Sequence, residues 1–317
     1  MLRVKNLNIK FKTTKGIVTA VKDVSFSLDR GETLGVVGES GCGKSITNMA
    51  IMGLLPPEAI VTAEELSFDG KSLLKLSQKE WQLIRGPKIG MIFQDPMSAL
   101  NPCFTIEKQL AETIQVVDRG IPSERVKQKS IELLSQVGIP SPESRLKCYP
   151  HELSGGMAQR VMIAMAIAAK PQLLIADEPT TALDVTIQLQ ILKLLHEIQK
   201  ENKMSIIFVT HDLAVVSQIS KKIQVLYAGE IVEKGETKNV LQSPMHPYTH
   251  GLLSSLPSDA KNELTPIPGI VPSLHQRPIG CQFSPRCEFA EDNCKSKIDL
   301  IEKNNNLVRC IKPILGS

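Results

Sequence analysis

The stretch GESGCGKS, from Gly38 to Ser45, constrains the fold of this chain more than any other feature. It matches the pattern G-x-x-x-x-G-K-[S/T], follows the apolar run TLGVVG and precedes the helix-like run ITNMAIMGLL. A strand, a glycine-rich loop and a helix in this order direct backbone N–H groups and a helix N-terminus toward one point, where an anion binds. The sequence therefore predicts a phosphate-binding loop next to a strand of an α/β sheet.

Each position of this loop has a predicted part in nucleotide binding. Lys44 is expected to reach the terminal phosphates and Ser45 to hold Mg²⁺. The glycines permit a tight path and a close approach of the backbone to the phosphates. The predicted nucleotide-binding residues are Gly38, Glu39, Ser40, Gly41, Cys42, Gly43, Lys44, Ser45 and Ile46.

Two later apolar runs end in polar residues that suit nucleotide chemistry. LLIADE (173–178) and SIIFVTH (205–211) contain the continuous runs of apolar residues that are typical of strands buried on both faces. A helical stretch from Ile187 to Glu201 separates them, so this order predicts a parallel sheet. At the first strand end, Asp177 is expected to bind Mg²⁺, directly or through water, and Glu178 to polarise an attacking water.

Other segments predict further elements. Residues 1 to about 37 predict short strands, and a helix that begins at Ile46 should stop at Pro56-Pro57. Apolar residues at spacings of three and four predict helices over Ile106–Val117 and Ser123–Val137.

The distribution of proline indicates a domain boundary. Prolines become frequent after Gly235, which disfavours long helices there. We expect one large domain over residues 1–235, with a helical subdomain at about 95–160, and a small extension over 236–317.

Composition argues against several partners and settings. The formal charge of +4 is slight for 317 residues and aromatic residues make up only 4%, so nucleic acid is not an expected partner. The N-terminus lacks the apolar core of a signal peptide, and the longest apolar run, broken by Lys170 and Pro171, is too short to span a membrane. We therefore expect a cytosolic chain, in which clustered cysteines indicate metal or redox ligands first.

The stretch LSGGMAQR, from Leu153 to Arg160, makes a family resemblance specific. The chain resembles an ATP-binding-cassette ATPase over about residues 1–235. The resemblance implies an α/β fold of the P-loop NTPase type, with a mixed sheet core and a helical subdomain, and it implies ATP and Mg²⁺ as cofactors. The further matching positions are Phe11 (adenine stacking), Gln94 (Q-loop), Ser154, Gly155 and Gly156 (signature), Thr181 to Asp184 (D-loop, with Asp184) and His211 (switch histidine).

The resemblance also assigns roles within the site. Gln94, Glu178 and His211 are the expected catalytic residues, and Mg²⁺ is expected on Ser45, Gln94 and Asp177. In this family the signature acts in trans and completes the ATP site of a second subunit. Phe11 keeps an alternative role as a core residue, because an aromatic residue in an alternating strand often packs inward.

Three stretches near the C-terminus narrow the resemblance further. HPYTHGLLSSLP (246–257), IPG (267–269) and CQFSPRC (281–287) resemble the extension of oligopeptide and dipeptide importer ATPases. This implies a peripheral subunit on the cytoplasmic face of the inner membrane that powers peptide import. The expected partners are a second ABC ATPase subunit, as a paralogue in a heterodimer, two transmembrane permease subunits and an extracytoplasmic substrate-binding protein. The alternatives are an ATPase of a nickel or metal-chelate importer and a cassette ATPase without a transport function.

The four cysteines of the extension follow the spacing C-x₅-C-x₆-C-x₁₅-C. Structural zinc sites usually open with C-x₂₋₄-C, and ferredoxin-type runs are tighter, so spacing alone indicates only four soft ligands. The resemblance adds that some dipeptide importer ATPases carry an iron–sulfur cluster on such a tail. It implies a [4Fe–4S] cluster, and zinc or free or disulfide-bonded thiols remain alternatives. The candidate ligands are Cys281, Cys287, Cys294 and Cys310.

Overall fold

The computed structural model describes residues 1–180, 183–255 and 266–314. Thr181 and Ala182 of the predicted D-loop, and the end of the HPYTHGLLSSLP stretch, lie outside these residues. The strands are β1 (Leu2–Thr13), β2 (Gly16–Leu28), β3 (Thr33–Val37), β4 (Ala59–Thr62), β5 (Glu65–Phe68), β6 (Lys71–Ser72), β7 (Ile89–Ile92), β8 (Leu173–Asp177), β9 (Ser205–Thr210), β10 (Lys222–Tyr227), β11 (Glu230–Glu236), β12 (Ile301–Lys303) and β13 (Asn306–Val308).

The helices of the described residues are short in the extension and longest in the middle of the chain. They are α1 (Lys44–Ile51), α2 (Gln78–Gln82), α3 (Pro96–Ala99), α4 (Ile106–Val117), α5 (Ser123–Gln136), α6 (Pro142–Arg145), α7 (Gly155–Ala168), α8 (Val185–Asn202), α9 (Leu213–Ile219), α10 (Thr237–Gln242) and α11 (Pro247–Ser254). Among the helices that the structure describes, none combines the length and the apolar character that a membrane crossing requires.

The chain divides into two compact units. The first contains Met1–Leu28, Thr33–Lys75 and the chain from Thr210 onward, and the second contains Asp29–Glu32 and Leu76–Val209. The first unit therefore combines the phosphate loop with the whole described part of the C-terminal extension.

The first unit holds two sets of paired strands. One is an antiparallel set in the order β2-β1-β5-β6, with β4 also paired to β1. In the other, β3 and β10 run parallel, and β11, β13 and β12 continue the order with antiparallel pairing. The extension thus adds β12 and β13 to the sheet whose strand β3 leads into the phosphate loop. A core cluster joins Val37, Val225 and Tyr227 to Tyr248 and Phe283 of the extension.

The second unit contains a parallel sheet in the order β7-β8-β9. All residues of β8 and β9 are buried, as expected for strands covered on both faces. Helices α4 and α5 pack together through a small core around Ile114, Ile121 and Val126. This unit positions the carboxylates at the end of β8.

The predicted helices and strands agree with the structure to different degrees. Helix α4 has the predicted bounds, and α5 ends at Gln136, one residue before the predicted end. The helix predicted from Ile46 is present as α1, but its predicted end at the prolines was wrong: α1 ends at Ile51, because Gly53 adopts a left-handed conformation (φ 61°) that stops it earlier. Of the short N-terminal strands, the run TLGVVG is confirmed as β3, whereas the strands before it are longer than predicted: β1 and β2 form one hairpin of 12 and 13 residues with irregularities in its register.

Candidate nucleotide-binding site and cysteine pocket

The phosphate loop runs from the end of β3 to the first turn of α1 and depends on glycine at defined points. Gly38, Gly41 and Gly43 have φ angles of 154°, 77° and 101°. A Cβ atom on Gly38 would collide with the carbonyl oxygen of Leu226. A residue with a side chain therefore cannot replace Gly38 without a shift of the backbone of the loop or of β10.

Lys44 folds back over this loop. Its side chain is buried, and its Nζ atom donates hydrogen bonds to the carbonyl oxygens of Gly38 (2.6 Å) and Glu39 (3.0 Å). Cys42 is buried beside it, and burial raises the pKa of the Cys42 thiol although Lys44 acts in the opposite direction. Ser45 is half-buried in the first turn of α1. A cation, a helix N-terminus and backbone N–H groups thus surround one small region, which suits a phosphate chain.

Two further predicted residues lie in the first unit. Phe11 is half-buried on β1, where it pairs with Val18 of β2 and Ala59 of β4. His211 is exposed and follows β9 directly. Asp212, the next residue, caps α9 by accepting hydrogen bonds from the N–H groups of Ala214 (2.8 Å) and Val215 (3.3 Å).

The second unit brings Gln94 and Glu178 together. Asp177 ends β8 with 3% exposure, and Glu178 follows with 7% exposure. Glu178 adopts a left-handed φ of 48°, which is rare for a residue with a side chain and is often found at functional sites. Its carboxylate accepts a hydrogen bond of 3.2 Å from Nε2 of Gln94, and its own N–H donates to Val209 (2.9 Å). The backbone therefore turns sharply at the residue predicted to act on water.

The signature residues form the beginning of α7. Ser154 is the N-cap and accepts a hydrogen bond from the N–H of Met157 (3.4 Å), while Gly155 and Gly156 are the first residues of the helix. A Cβ atom on Gly155 would meet no atom of the described residues within 4 Å. Asp184 is the N-cap of α8 and accepts a hydrogen bond from the N–H of Ile187 (3.0 Å). The start of α7 is exposed at Ser154 and Gly155, and the first N–H groups of a helix have no partner within the helix.

The four cysteines of the extension line one small pocket, together with His246 and Phe283. The N–H of Cys281 donates to the carbonyl of Cys294 (2.8 Å), which joins the two segments of the pocket. Burial raises the pKa of Cys281 to about 11 and also raises the pKa values of Cys287 and Cys310, so these thiols are protonated at neutral pH. All seven cysteines of the chain are free.

As their side chains stand, the pocket residues do not form a site for a single metal ion. Over residues 1–180, 183–255 and 266–314, no group of three or more His, Cys, Asp or Glu side chains is close enough to hold one. Zinc needs four ligands around one centre at about 2.3 Å. The described thiols therefore share one pocket without being gathered around one centre.

The structure also assigns contacts to two residues that had no predicted role. Tyr248 and Arg286 of the extension both contact Glu39 of the phosphate loop. Both residues belong to stretches that carried the family resemblance, HPYTH and CQFSPRC. No local sequence signal connects them to a loop that lies more than 200 positions away.

Comparison with known proteins identifies the class. The family model described as ABC transporter matches residues 21–181, and the model described as oligopeptide/dipeptide transporter, C-terminal region, matches residues 232–294. The chain belongs to the ABC transporter family and is an ATPase of the ABC type, with the P-loop NTPase fold that the sequence predicts.

Individual relatives narrow this assignment. The chain is 50% identical to the dipeptide transport ATP-binding protein DppD of Escherichia coli K12, over 94% of this chain and 91% of that protein. It is 53% identical to the oligopeptide transport ATP-binding protein OppD of Bacillus subtilis 168, over 92% of this chain and 82% of that protein. Within the ABC transporter family, the chain is therefore grouped with the ATP-binding proteins of dipeptide and oligopeptide transporters, which confirms the resemblance.

Solved structures agree on the fold. The ATP-binding cassette MJ0796, in a dimeric post-hydrolysis state bound to ADP and Pi, aligns with a TM-score of 0.67 at 29% identity, over 75% of this chain and 99% of that one. CbiO1 of Clostridium perfringens, part of the ABC transporter complex cbiONQ, aligns with a TM-score of 0.63 at 30% identity, over 76% of this chain and 90% of that one.

Proposed function

We propose that this chain hydrolyses ATP to power the import of dipeptides and oligopeptides across a bacterial cytoplasmic membrane. The observation that carries the proposal is the combination of a complete cassette with a C-terminal region of the oligopeptide/dipeptide transporter type. The names of the relatives in Escherichia coli and Bacillus subtilis support peptides as the cargo. The chain works as a peripheral subunit on the cytoplasmic face of the inner membrane.

We assign the catalytic groups from the family resemblance, and contacts within each unit support the assignment. Lys44 and the N–H groups of the phosphate loop bind the phosphates, and Ser45, Gln94 and Asp177 would hold Mg²⁺, which would neutralise charge on the phosphates when bound. Glu178 orients and polarises the attacking water, and His211 contacts the γ-phosphate. The hydrogen bond between Gln94 and Glu178 supports this assignment, because it links the group that senses Mg²⁺ to the group that acts on water.

Two features support a signature that acts on a partner subunit. Ser154 and the glycines expose the N-terminus of α7, which attracts phosphate. Among the residues that the structure describes, none comes close enough to position 155 to require glycine there, since a Cβ atom would meet open space. We infer that the close approach of a bound nucleotide on a second ATPase subunit requires it. That subunit is a paralogue, and the pair drives two permease subunits that receive cargo from an extracytoplasmic binding protein.

We further propose that Cys281, Cys287, Cys294 and Cys310 hold a [4Fe–4S] cluster. Such a cluster binds one thiolate per iron, so its ligands lie further apart than those of one ion. Four cysteines around one pocket, with no other residue type that commonly binds iron except His246, fit that donor set. The cluster would supply a covalent staple for a segment with little core of its own.

Uptake of labelled substrates tests the peptide proposal. In cells that depend on this chain for uptake, we expect ATP-dependent accumulation of a labelled dipeptide or oligopeptide, lost when Glu178→Gln replaces the native chain. The control variant Glu197→Gln changes an exposed carboxylate of α8 and should leave uptake unchanged. Accumulation of nickel instead of peptide would contradict the proposed cargo while it leaves the ATPase assignment intact.

A further inference from the structure

The phosphate loop is fastened to the C-terminal extension through Glu39. Nη1 of Arg286 donates hydrogen bonds to both carboxylate oxygens of Glu39, at 3.1 Å and 2.9 Å. The hydroxyl oxygen of Tyr248 accepts a hydrogen bond of 2.8 Å from the N–H of Glu39. The second residue of the loop is thus held by its side chain and by its backbone, in both cases by residues of the extension.

Arg286 is itself held in place on several sides. Its side chain is only 5% exposed. Its Nε atom donates to the carbonyl of Pro268 (2.7 Å), and Nη1 also reaches the hydroxyl of Tyr227 (3.3 Å). Burial lowers the pKa of the guanidinium, but the hydrogen bonds to Glu39 and Tyr227 more than offset this effect and raise it. Arg286 is therefore a fixed cation that belongs to the interior of the unit rather than to its surface.

An aromatic cluster supports the same contact. The rings of Tyr227 and Tyr248 lie 4.6 Å apart, and Phe283 packs against both at 5.2 Å and 5.4 Å. Tyr248 is fully buried. Rings packed at these distances have little freedom to move, so the Tyr248 hydroxyl offers the loop a rigid acceptor.

These contacts bear on nucleotide binding in two ways. The carbonyl of Glu39 accepts a hydrogen bond from Lys44, so a displaced Glu39 also displaces a contact of the phosphate-binding lysine. The Glu39 carboxylate, which is 29% exposed, carries a negative charge on the loop that must receive a polyanion. A paired cation reduces the repulsion between that carboxylate and the phosphates.

We propose that Arg286 is a positioning residue for ATP binding, supplied by the C-terminal extension. It neutralises and orients Glu39, and with Tyr248 it fixes the start of the phosphate loop in its binding conformation. In this chain the extension is thus part of the structure that sets ATP affinity. The inference concerns the ATPase activity and holds whether the cargo is a peptide or another solute.

Equilibrium binding of a fluorescent ATP derivative to the full chain tests the proposal. Arg286→Met should raise Kd about tenfold, which corresponds to the loss of one hydrogen-bonded charge pair. In the transporter complex the same variant should raise KM for ATP while kcat changes less than about twofold, because the residue does not touch the reacting atoms. In a Glu39→Gln background, Arg286→Met should have little further effect on Kd, since its partner is already neutral.

Three other variants complete the test. Lys295→Met removes an exposed ion pair with Asp292 in the same extension and should leave Kd unchanged. Tyr248→Phe removes only the hydroxyl and should raise Kd about threefold. Arg286→Lys keeps the positive charge without the fork geometry of the guanidinium, so its Kd should lie between those of the unchanged chain and Arg286→Met. It serves as the test if Arg286→Met does not fold. The proposal is overturned if Arg286→Met or Arg286→Lys binds ATP like the unchanged chain, or if the Arg286→Met effect persists in full in the Glu39→Gln background.

Discussion

The phosphate loop and the cysteine pocket belong to the same compact unit, but one is built from a continuous segment and the other from dispersed residues. The loop is continuous, and its shape comes from backbone hydrogen bonds and left-handed glycines at Gly38, Gly41 and Gly43. The pocket takes side chains from positions between His246 and Lys312, and packing brings them together. A continuous loop is therefore sensitive to backbone collisions, whereas a dispersed pocket is sensitive to the loss of a single side chain.

The contact between Glu39 and Arg286 connects these two kinds of structure. Arg286 directly precedes Cys287, a candidate cluster ligand, and ends the short helical turn Ser284–Arg286. The N–H of Ser284, at the start of this turn, donates a hydrogen bond to the carbonyl of Cys281 (3.2 Å). Within the described residues, Tyr248 and Arg286 tie the extension to Glu39 of the loop. Perturbations of the two regions should differ in kind and in size.

The largest expected effect is the loss of the proposed cluster on removal of one pocket thiol. Cys294 is the most buried of the four, and a serine in its place offers one iron of the cluster a weaker ligand than a thiolate. In protein purified without oxygen, iron and acid-labile sulfide should fall from near four per chain, the content of one [4Fe–4S] cluster, to near zero in Cys294→Ser. Cys103→Ser, which changes an exposed cysteine of the second unit, is the matched control. Zinc or an absence of metal in the unchanged chain would contradict the cluster.

Substitution of loop glycines should have the next largest effect. Gly38→Ala places a Cβ atom against the Leu226 carbonyl, so we expect a loss of about 3 kcal/mol in the free energy of unfolding. Gly155→Ala meets open space and should change that free energy by less than about 0.5 kcal/mol, while hydrolysis by the paired ATPases falls. Urea unfolding measures the first quantity, and phosphate release measures the second. Equal destabilisation by both variants would contradict the distinction between them.

The smallest expected effect concerns acid stability of the pocket. Burial, and to a lesser degree the charge of Arg309, lowers the pKa of His246 from 6.5 to about 3. The neutral imidazole of His246 accepts a hydrogen bond at Nδ1 from the N–H of Tyr248 (3.1 Å). A base with a lowered folded pKa contributes stability that is present above pH 6.5 and is lost as the pH falls toward 3. Between pH 7.5 and 5.5 the metal-free chain should lose about 1 kcal/mol through this group.

Two variants separate this effect from other titrations. His246→Asn keeps an acceptor at the start of α11 and should remove this part of the pH dependence, as measured by urea unfolding at the two pH values. His250→Asn changes an exposed histidine of the same helix and should leave the pH dependence as it is. An unchanged acid slope in His246→Asn would show that the buried imidazole does not titrate as described.

Local features made the cassette predictable from sequence, and long-range packing limited the prediction of the rest. The continuous apolar runs of β8 and β9 indicate buried strands, and the spacing of apolar residues in α4 indicates a helix with one buried face. The sequence therefore predicts the type of these elements. The short β7 has only four residues, one of them Gly90, so its apolar signal is weaker, and its place in the sheet depends on pairing with β8. The contact of Arg286 with Glu39 joins residues 247 positions apart, and only the folded unit shows it.

The most direct test of the account is the ATPase rate of the purified transporter complex, measured with and without dipeptide-loaded binding protein. If this chain powers peptide import, the loaded binding protein should raise the rate several-fold, and the rise should disappear in a complex that carries Glu178→Gln. A rate that is the same with and without the loaded protein, in a complex that hydrolyses ATP, would contradict the central claim.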